Sequence, residues 1–125
     1  MPFVGYPVDC PPNDSAPCAE QVYRLVSGNQ PTVTDFQSYL DRYGVRAKDD
    51  PCLARGLSVC LDFDAAVRLR KRLKAFRTHK IAVAQLDTTA GLIKQTTDNV
   101  DHHTWWLNDG FDPLTVFALD PQETV

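Results

Sequence analysis

The C-terminal half of the chain consists of short β-type segments joined by turns, and this pattern limits the possible folds more than any other feature. Residues 81–86 (IAVAQL) are apolar on both faces, which indicates a central strand that is covered on both sides. Residues 91–96, 103–107 and 114–119 are the next three predicted strands. Strands with such short links pair antiparallel, because a parallel pair needs a crossover of about a dozen residues or more.

The N-terminal half adds two strands and two amphipathic helices. Residues 21–26 (QVYRLV) and 55–61 (RGLSVCL) alternate as half-buried strands do. The sequence T-D-F-Q at 34–37 is a capping box, and it predicts a helix over 34–43. A second helix is predicted over 64–77, and its apolar stripe is formed by Ala66, Leu69, Leu73 and Phe76.

Together these elements predict an α+β domain over residues 20–125, with a mixed, mostly antiparallel sheet and two main amphipathic helices. Residues 1–19 hold five of the nine prolines and no periodic pattern, so we expect an irregular N-terminal arm. No apolar run approaches the ~20 residues that a membrane helix needs. The first residues also lack the pattern of a signal peptide. We therefore expect a cytoplasmic protein that does not associate with membranes.

The cysteine and histidine patterns do not predict a metal site. Neither pair of cysteines, Cys10 with Cys18 or Cys52 with Cys60, has the close spacing that is usual for zinc ligands. Disulfides are not expected either, because they are rare in proteins without a secretion signal. Two adjacent histidines at positions 102 and 103 point to opposite faces of a strand, so they cannot bind one ion together.

The net charge of −3 conceals an uneven distribution. Seven of the thirteen basic residues lie between positions 68 and 80, where there is no acid, whereas residues 95–125 contain six acids and no base. The helix 64–77 therefore offers a surface for an anionic partner, unless its charges form only a solvated face. Nucleic acid is disfavoured because the pI is about 5.5 and the helix lacks interleaved aromatics. Substituting Arg70, Lys71 and Lys74 together should change the free energy of unfolding by less than about 1 kcal/mol.

Residues able to do chemistry are concentrated in the segment 101–119, DHHTWWLNDGFDPLTVFAL, which holds two histidines, both tryptophans and three carboxylates. The chain has no GxGxxG, GxxxxGK[ST], HExxH or GxSxG motif, so the common dinucleotide, P-loop, zinc-protease and serine-hydrolase signatures are absent. Any site must therefore combine this segment with residues from elsewhere in the chain.

The order of three further segments is informative. A strand with Val22-Tyr23-Arg24 comes first, then the helix PTVTDFQSYL, and then a strand containing Gly56-Leu57-Ser58-Val59 that leads into the second helix. With the late aromatic strand, this order resembles the ADP-ribosyltransferase-like superfamily over about residues 21–119. That superfamily includes NAD-consuming toxins of the RES type and RNA 2′-phosphotransferases. The resemblance implies NAD as cofactor and a bacterial, toxin–antitoxin type of ADP-ribosyl transferase or NAD glycohydrolase.

The resemblance also assigns roles to particular residues. Arg24 matches the first-strand position that holds NAD, and Ser58 matches the hydroxyl position on a middle strand. The family's late-strand glutamate has no counterpart here, so His103, Thr104 or Asp109 would replace it. With NAD as the ligand that the resemblance implies, the aromatic rings of Tyr23 and Trp105 are suited to stack on its nicotinamide.

Two alternatives remain at this point. Both hold if Arg24 pairs with an acid such as Asp35 and Ser58 is structural. The chain would then be a degenerate nucleotide binder, or a non-enzymatic, antitoxin-like accessory protein that binds an anionic partner through the helix 64–77.

Overall fold

A single seven-stranded sheet organises the molecule. The computed structural model describes residues 6, 7, 9–38 and 50–124. The strands are β1 (Ala16–Pro17), β2 (Gln21–Val26), β3 (Leu57–Cys60), β4 (Lys80–Gln85), β5 (Gly91–Gln95), β6 (His102–Leu107) and β7 (Ala118–Leu119). They lie in the order β1-β5-β6-β3-β2-β4-β7, and each neighbouring pair is antiparallel. The α+β class with a mostly antiparallel sheet is therefore confirmed.

Two α-helices are described, α1 (Pro51–Arg55) and α2 (Phe63–Arg72). Shorter 3-10 turns occupy Val33–Phe36, Lys74–Phe76, Thr88–Ala90, Pro113–Thr115 and Pro121–Thr124. The helix predicted over 64–77 is confirmed as α2, which ends at Arg72 and is followed by a 3-10 turn. The helix predicted over 34–43 begins only as the turn Val33–Phe36, because Gln37 is extended; residues 39–43 of that prediction lie outside the described residues.

The 3-10 turn Val33–Phe36 is held by Asp35 and not by the capping box that was predicted at T-D-F-Q, residues 34–37. The Asp35 carboxylate accepts hydrogen bonds from the backbone N–H and the hydroxyl of both Ser27 and Thr32, at 2.8–3.1 Å. Burial alone would raise the pKa of this carboxyl, but the four hydrogen bonds outweigh burial and lower it. The capping box is thus Thr32 with Asp35, two residues earlier than the sequence pattern indicated.

The two faces of the sheet are covered differently. We call the face that α2 covers the helix face; it buries Cys60 and Ile81, with Tyr23 and Leu25 packed beside them. The opposite face, which we call the loop face, buries the larger core and is covered by Phe36, Phe111 and Phe117. Both helix and loops are therefore needed to close the sheet, as expected for a sheet with two apolar faces.

The strand around residues 81–86 was expected to be central, but it is not. β4 lies between β2 and the short edge strand β7, and β3 occupies the middle of the sheet. The expectation that β4 is covered on both sides is nevertheless confirmed, because α2 covers Ile81 on the helix face, while Ala82 and Ala84 belong to the core on the loop face.

Three other segments, each of which contains or follows a proline, differ from the predicted structure. Residues 51–55 form α1, a helix that was not predicted and that includes Arg55, the first residue of the strand predicted over 55–61. Pro51 suits a first helical turn, and Asp50 caps the N–H groups of Cys52 and Leu53. The strand predicted over 114–119 is a 3-10 turn capped by Asp112, followed by only two strand residues. In the predicted irregular arm, Ala16–Pro17 pairs with β5.

The expectation of reduced cysteines is wrong for one pair. Cys10 and Cys52 form a disulfide, which ties the N-terminal arm to α1. Cys18 and Cys60 are free thiols buried in the core. Cys60 thus packs as the small apolar residue that its strand position indicated.

Candidate functional site

A groove of about 900 Å³ lies beside α2 on the helix face. One wall is apolar and carries Leu25, Leu69, Leu73 and Phe76. Its polar lining residues are Ser58, Arg68, Arg72, Asn99 and His102. Pockets that hold small ligands commonly have volumes of about 300–1,000 Å³ and combine an apolar lining with a few polar groups.

The groove exists because α2 covers only part of the helix face. Ala65 and Ala66, in the first half of α2, are buried against the sheet. Farther along the helix, Leu69 is half-buried and Leu73 is 39% exposed. Leu73 was predicted to be part of the core stripe; instead it lines the open groove.

Arg24 is a structural residue at the edge of this groove. Its Nε donates to the backbone oxygen of Asp35 at 2.9 Å, and a second guanidinium nitrogen donates to the backbone oxygen of Ser58. The guanidinium also lies 5.8 Å from the centre of the Phe36 ring. These contacts bridge β2 and β3, which pair only at Tyr23 and Cys60.

The side chains of Arg24 and Ser58 leave opposite faces of the sheet. Tyr23 and Cys60 are register partners on the helix face, so Arg24, one residue on, belongs to the loop face, while Ser58, two residues from Cys60, belongs to the helix face. Both residues border the groove, but the prediction that their side chains point to the same face of the sheet is wrong. The alternative pairing with Asp35 is confirmed only in part, because Arg24 contacts its backbone oxygen and not its carboxylate.

Ser58 and Tyr23 do face the groove. Ser58 is exposed, and its hydroxyl has no hydrogen-bond partner among the described residues. Tyr23 is half-buried and makes an edge contact with Phe63, with ring centres 6.1 Å apart. Burial, helped by the nearby Asp120 and Asp62 carboxylates, raises the pKa of Tyr23, so its phenol stays protonated at neutral pH.

Of the two adjacent histidines, the groove contains His102 and not the predicted His103. His103 shares the loop face with Trp105, whereas His102 lies opposite Cys60 on the helix face. Burial, together with the positive potential of His103 and Arg72, lowers the pKa of His102, so its imidazole is neutral at pH 7. Its Nδ1 is buried and has no hydrogen bond to a described residue.

His102 and Cys60 do not form an activated thiolate pair. Burial is the main reason that the pKa of Cys60 rises to about 11. The thiol therefore stays protonated at neutral pH, and a protonated thiol is a poor nucleophile.

Trp105 and Asp109 lie outside the groove. Trp105 is fully buried in the loop-face core, and its indole N–H donates to the backbone oxygen of Ala90 at 3.0 Å. It cannot stack on a ligand, contrary to the prediction. Asp109 lies beyond the far end of β6 from His103, roughly 15 Å or more along the strand, and borders a second, smaller cavity of about 310 Å³.

The structure therefore brings together Tyr23 and Ser58 with three residues that the sequence had not placed in the site: Arg68, Arg72 and His102. Arg68 and Arg72 are four residues apart and lie on one side of α2. Arg68 contacts the Asp101 carboxylate at 3.5 Å, and the two side chains are 64% and 36% exposed respectively. Arg72 is exposed and has no ion pair with a described residue. The basic cluster was visible in the sequence, but its position beside Ser58 depends on how α2 docks.

Several site types are not found. No group of three potential metal ligands occurs within residues 6, 7, 9–38 and 50–124. Within the same residues, no helix is both long and apolar enough to cross a membrane.

No protein-family model, curated protein or solved structure matches this chain.

Proposed function

We propose that this chain binds a nucleotide-type ligand, with NAD as the first candidate, in the groove beside α2. The observation that carries the proposal is the composition of that groove: apolar side chains line it together with two arginines and an exposed hydroxyl. A nucleotide has the same three parts, since it joins a flat ring to a ribose and an anionic phosphate group.

Each part of a nucleotide has a counterpart among the residues that line the groove. Arg72 can bind a phosphate through charge-assisted hydrogen bonds, and it does so without first breaking an ion pair within the described part of the chain. Phe76 and Tyr23 offer aromatic surface for a flat ring. The Ser58 hydroxyl is placed to orient the ribose. Arg24, the residue that the resemblance assigned to NAD, contributes by holding β3 in position.

If the chain is an ADP-ribosyltransferase-like enzyme, the same groove assigns new residues to the reaction. Neutral His102 can accept a proton from the attacking hydroxyl or water. The sequence had instead placed His103, Thr104 or Asp109 at the position of the family's late-strand glutamate. Ser58 keeps its predicted role. The reaction would transfer ADP-ribose from NAD, or hydrolyse NAD, with release of nicotinamide.

Calorimetric titration with NAD and with ADP-ribose tests the binding proposal. The informative variant is Arg72→Gln, and the matched control is Lys71→Gln, which removes the same charge from the same helix outside the groove. A charged hydrogen bond contributes about 1.5–3 kcal/mol. Arg72→Gln should therefore weaken binding by about 10-fold or more, while Lys71→Gln should change it less than 3-fold. Equal effects of the two variants, or no binding to the unmodified protein, would refute the proposal.

A second candidate is an accessory protein that binds an anionic protein partner. The favouring observation is that Lys71, Lys74 and Arg77 are exposed and form no ion pair within the described part of the chain. This candidate predicts the opposite pattern in a pull-down with an acidic partner: Lys71→Gln should weaken binding as much as Arg72→Gln does. Such binding should also weaken as salt is added, because exposed charges are screened.

A further inference from the structure

We propose that the Cys10–Cys52 disulfide is a redox-controlled clamp on the groove: when the bond is formed it holds α1 against the groove, and when it is reduced α1 is released. This inference concerns regulation, and its consequence for ligand binding rests on the proposed function. The clamp itself is tested separately below.

The segment that the disulfide holds is a wall of the groove. Leu53 of α1 and Gly56, which ends the helix, both border the cavity. α1 has only five residues, far fewer than a helix needs for stability on its own. Leu53 is 46% exposed, so it gains little from burial. α1 therefore depends on its attachments to keep its place.

Noncovalent contacts also hold α1. The indole N–H of Trp106 donates to the backbone oxygen of Cys52 at 2.8 Å. The guanidinium of Arg55, at the end of α1, lies 4.4 Å from the centre of the Tyr6 ring, which belongs to the same arm as Cys10. Both contacts are noncovalent, and the second links α1 to the arm rather than to the sheet.

The other end of the clamp is firmly anchored. The Tyr6 hydroxyl donates to the backbone oxygen of Leu107 at 2.9 Å, and Asp14 forms an ion pair of 2.8 Å with Lys94. Residues Ala16–Pro17 pair with β5 as a strand. The disulfide is thus the covalent link between this anchored arm and a short, partly exposed helix, so its reduction should loosen the helix and leave the arm in place.

The remaining cysteines cannot take part in this chemistry. Burial raises the pKa of Cys18 to about 12 and that of Cys60 to about 11. Both are buried thiols, which are unreactive at neutral pH. Cys10 and Cys52, in contrast, are both partly exposed. A reductant can therefore reach this bond.

The reaction is thiol–disulfide exchange with a dithiol reductant. One thiolate of the reductant attacks a sulfur of the bridge, the bond between Cys10 and Cys52 breaks, and a mixed disulfide forms. The second thiol of the reductant then closes its own disulfide and releases both cysteines as thiols. Two electrons and two protons pass to the protein, and the reductant is oxidised. If the chain works in the cytoplasm, as its sequence predicts, such a bond is typical of a transient redox sensor.

Backbone hydrogen exchange, followed by mass spectrometry, tests the clamp without any ligand. The samples are the oxidised protein, the protein treated with dithiothreitol, and a Cys10→Ser/Cys52→Ser variant with and without dithiothreitol. Exchange at residues 52–56 should rise at least 10-fold on reduction, while β2 and β4 stay protected. The variant should resemble the reduced protein and should not respond to dithiothreitol. No change at 52–56, or an equal rise throughout the sheet, would overturn the proposal.

Titration with NAD under the same conditions tests the consequence. Reduction should weaken NAD binding at least 10-fold, and the serine variant should bind weakly with or without dithiothreitol. Equal affinity of the oxidised and reduced proteins would overturn the regulatory role. No binding of NAD to the oxidised protein would instead refute the proposed function, and the exchange at residues 52–56 would then decide the clamp alone.

Discussion

The ion pair between Arg70 and Glu123 gives a sharp test of how the C-terminal turn is held. Glu123 lies in the turn Pro121–Thr124, and its Oε1 accepts hydrogen bonds from Arg70 and from the backbone N–H of Ile81 at 2.6 Å. The side chains are only 22% and 10% exposed for Arg70 and Glu123 respectively. Arg70 also donates to the backbone oxygen of His79 at 3.0 Å. One carboxylate thus joins the turn to α2 and to the first residues of β4.

Glu123→Ala should therefore be costly. Removing one partner of a buried ion pair costs about 3–5 kcal/mol, but Arg70 is partly exposed and water can solvate part of its charge. The N–H of Ile81 loses its acceptor as well, which costs about 1–3 kcal/mol for a buried group. We expect a total loss of about 3 kcal/mol, which corresponds to a fall in Tm of about 10 °C for a chain of this size.

Urea denaturation of four proteins measures this prediction: the unmodified chain, Arg70→Gln, Glu123→Ala and the double variant. The coupling energy of the cycle should be about 1–3 kcal/mol. Lys71→Gln is the control and should change stability by less than about 0.5 kcal/mol. This corrects the sequence-based expectation that Arg70, Lys71 and Lys74 are equally dispensable, because only Arg70 is paired with a nearly buried carboxylate. If Glu123→Ala were as mild as Lys71→Gln, our account of the turn would be wrong.

Two further predictions concern backbone geometry and pH. Gly91→Ala should lower Tm by far more than Gly110→Ala, although both glycines have positive φ. A Cβ at Gly91 would lie 2.1 Å from the backbone oxygen of Trp106, whereas a Cβ at Gly110 would meet open space. Similar falls in Tm for the two variants would refute this reasoning. Folding lowers the pKa of Asp35, so the ionised carboxylate stabilises the folded state. This contribution is fully present above the unfolded-state pKa of about 4, and it is lost as the pH falls through the lower pKa of the folded state. Urea denaturation between pH 7 and pH 2 should show a smaller loss of stability at low pH for Asp35→Asn than for the unmodified chain, and parallel curves would contradict the assignment.

The strands were predictable where the alternation of side chains was regular. β2 has the bounds that QVYRLV indicated, and the predicted bounds of β5 and β6 each differ by one residue. The segments near Pro51 and Pro113 were not predictable in the same way, since their local turns, set by caps at Asp50 and Asp112, override apolar periodicity. The disulfide was not predicted, because the absence of a secretion signal argued for reduced cysteines. The close approach of Cys10 to Cys52 is set by the tertiary fold and cannot be read from their positions in the sequence.

The candidate site was only partly predictable for a different reason. Alternation fixes which residues of one strand share a face, but it does not fix the register between strands. The pairing of Tyr23 with Cys60 puts Arg24 and Ser58 on opposite faces; a shift of one residue would have put them on the same face. The same limit applied to the histidines, because only the pairing of Cys60 with His102 shows which of them faces α2.

The location of ligand binding is the central claim, and NMR titration of the ¹⁵N-labelled protein tests it most directly. NAD or ADP-ribose is added to the oxidised protein, and the shift of each assigned backbone amide is followed. We predict that the largest shifts fall around the groove, at Ser58, Leu69, Arg72 and Asn99, and that Asp109 and its neighbours at the second cavity hardly move. Shifts concentrated at residues 109–114, or none at millimolar ligand, would contradict the account.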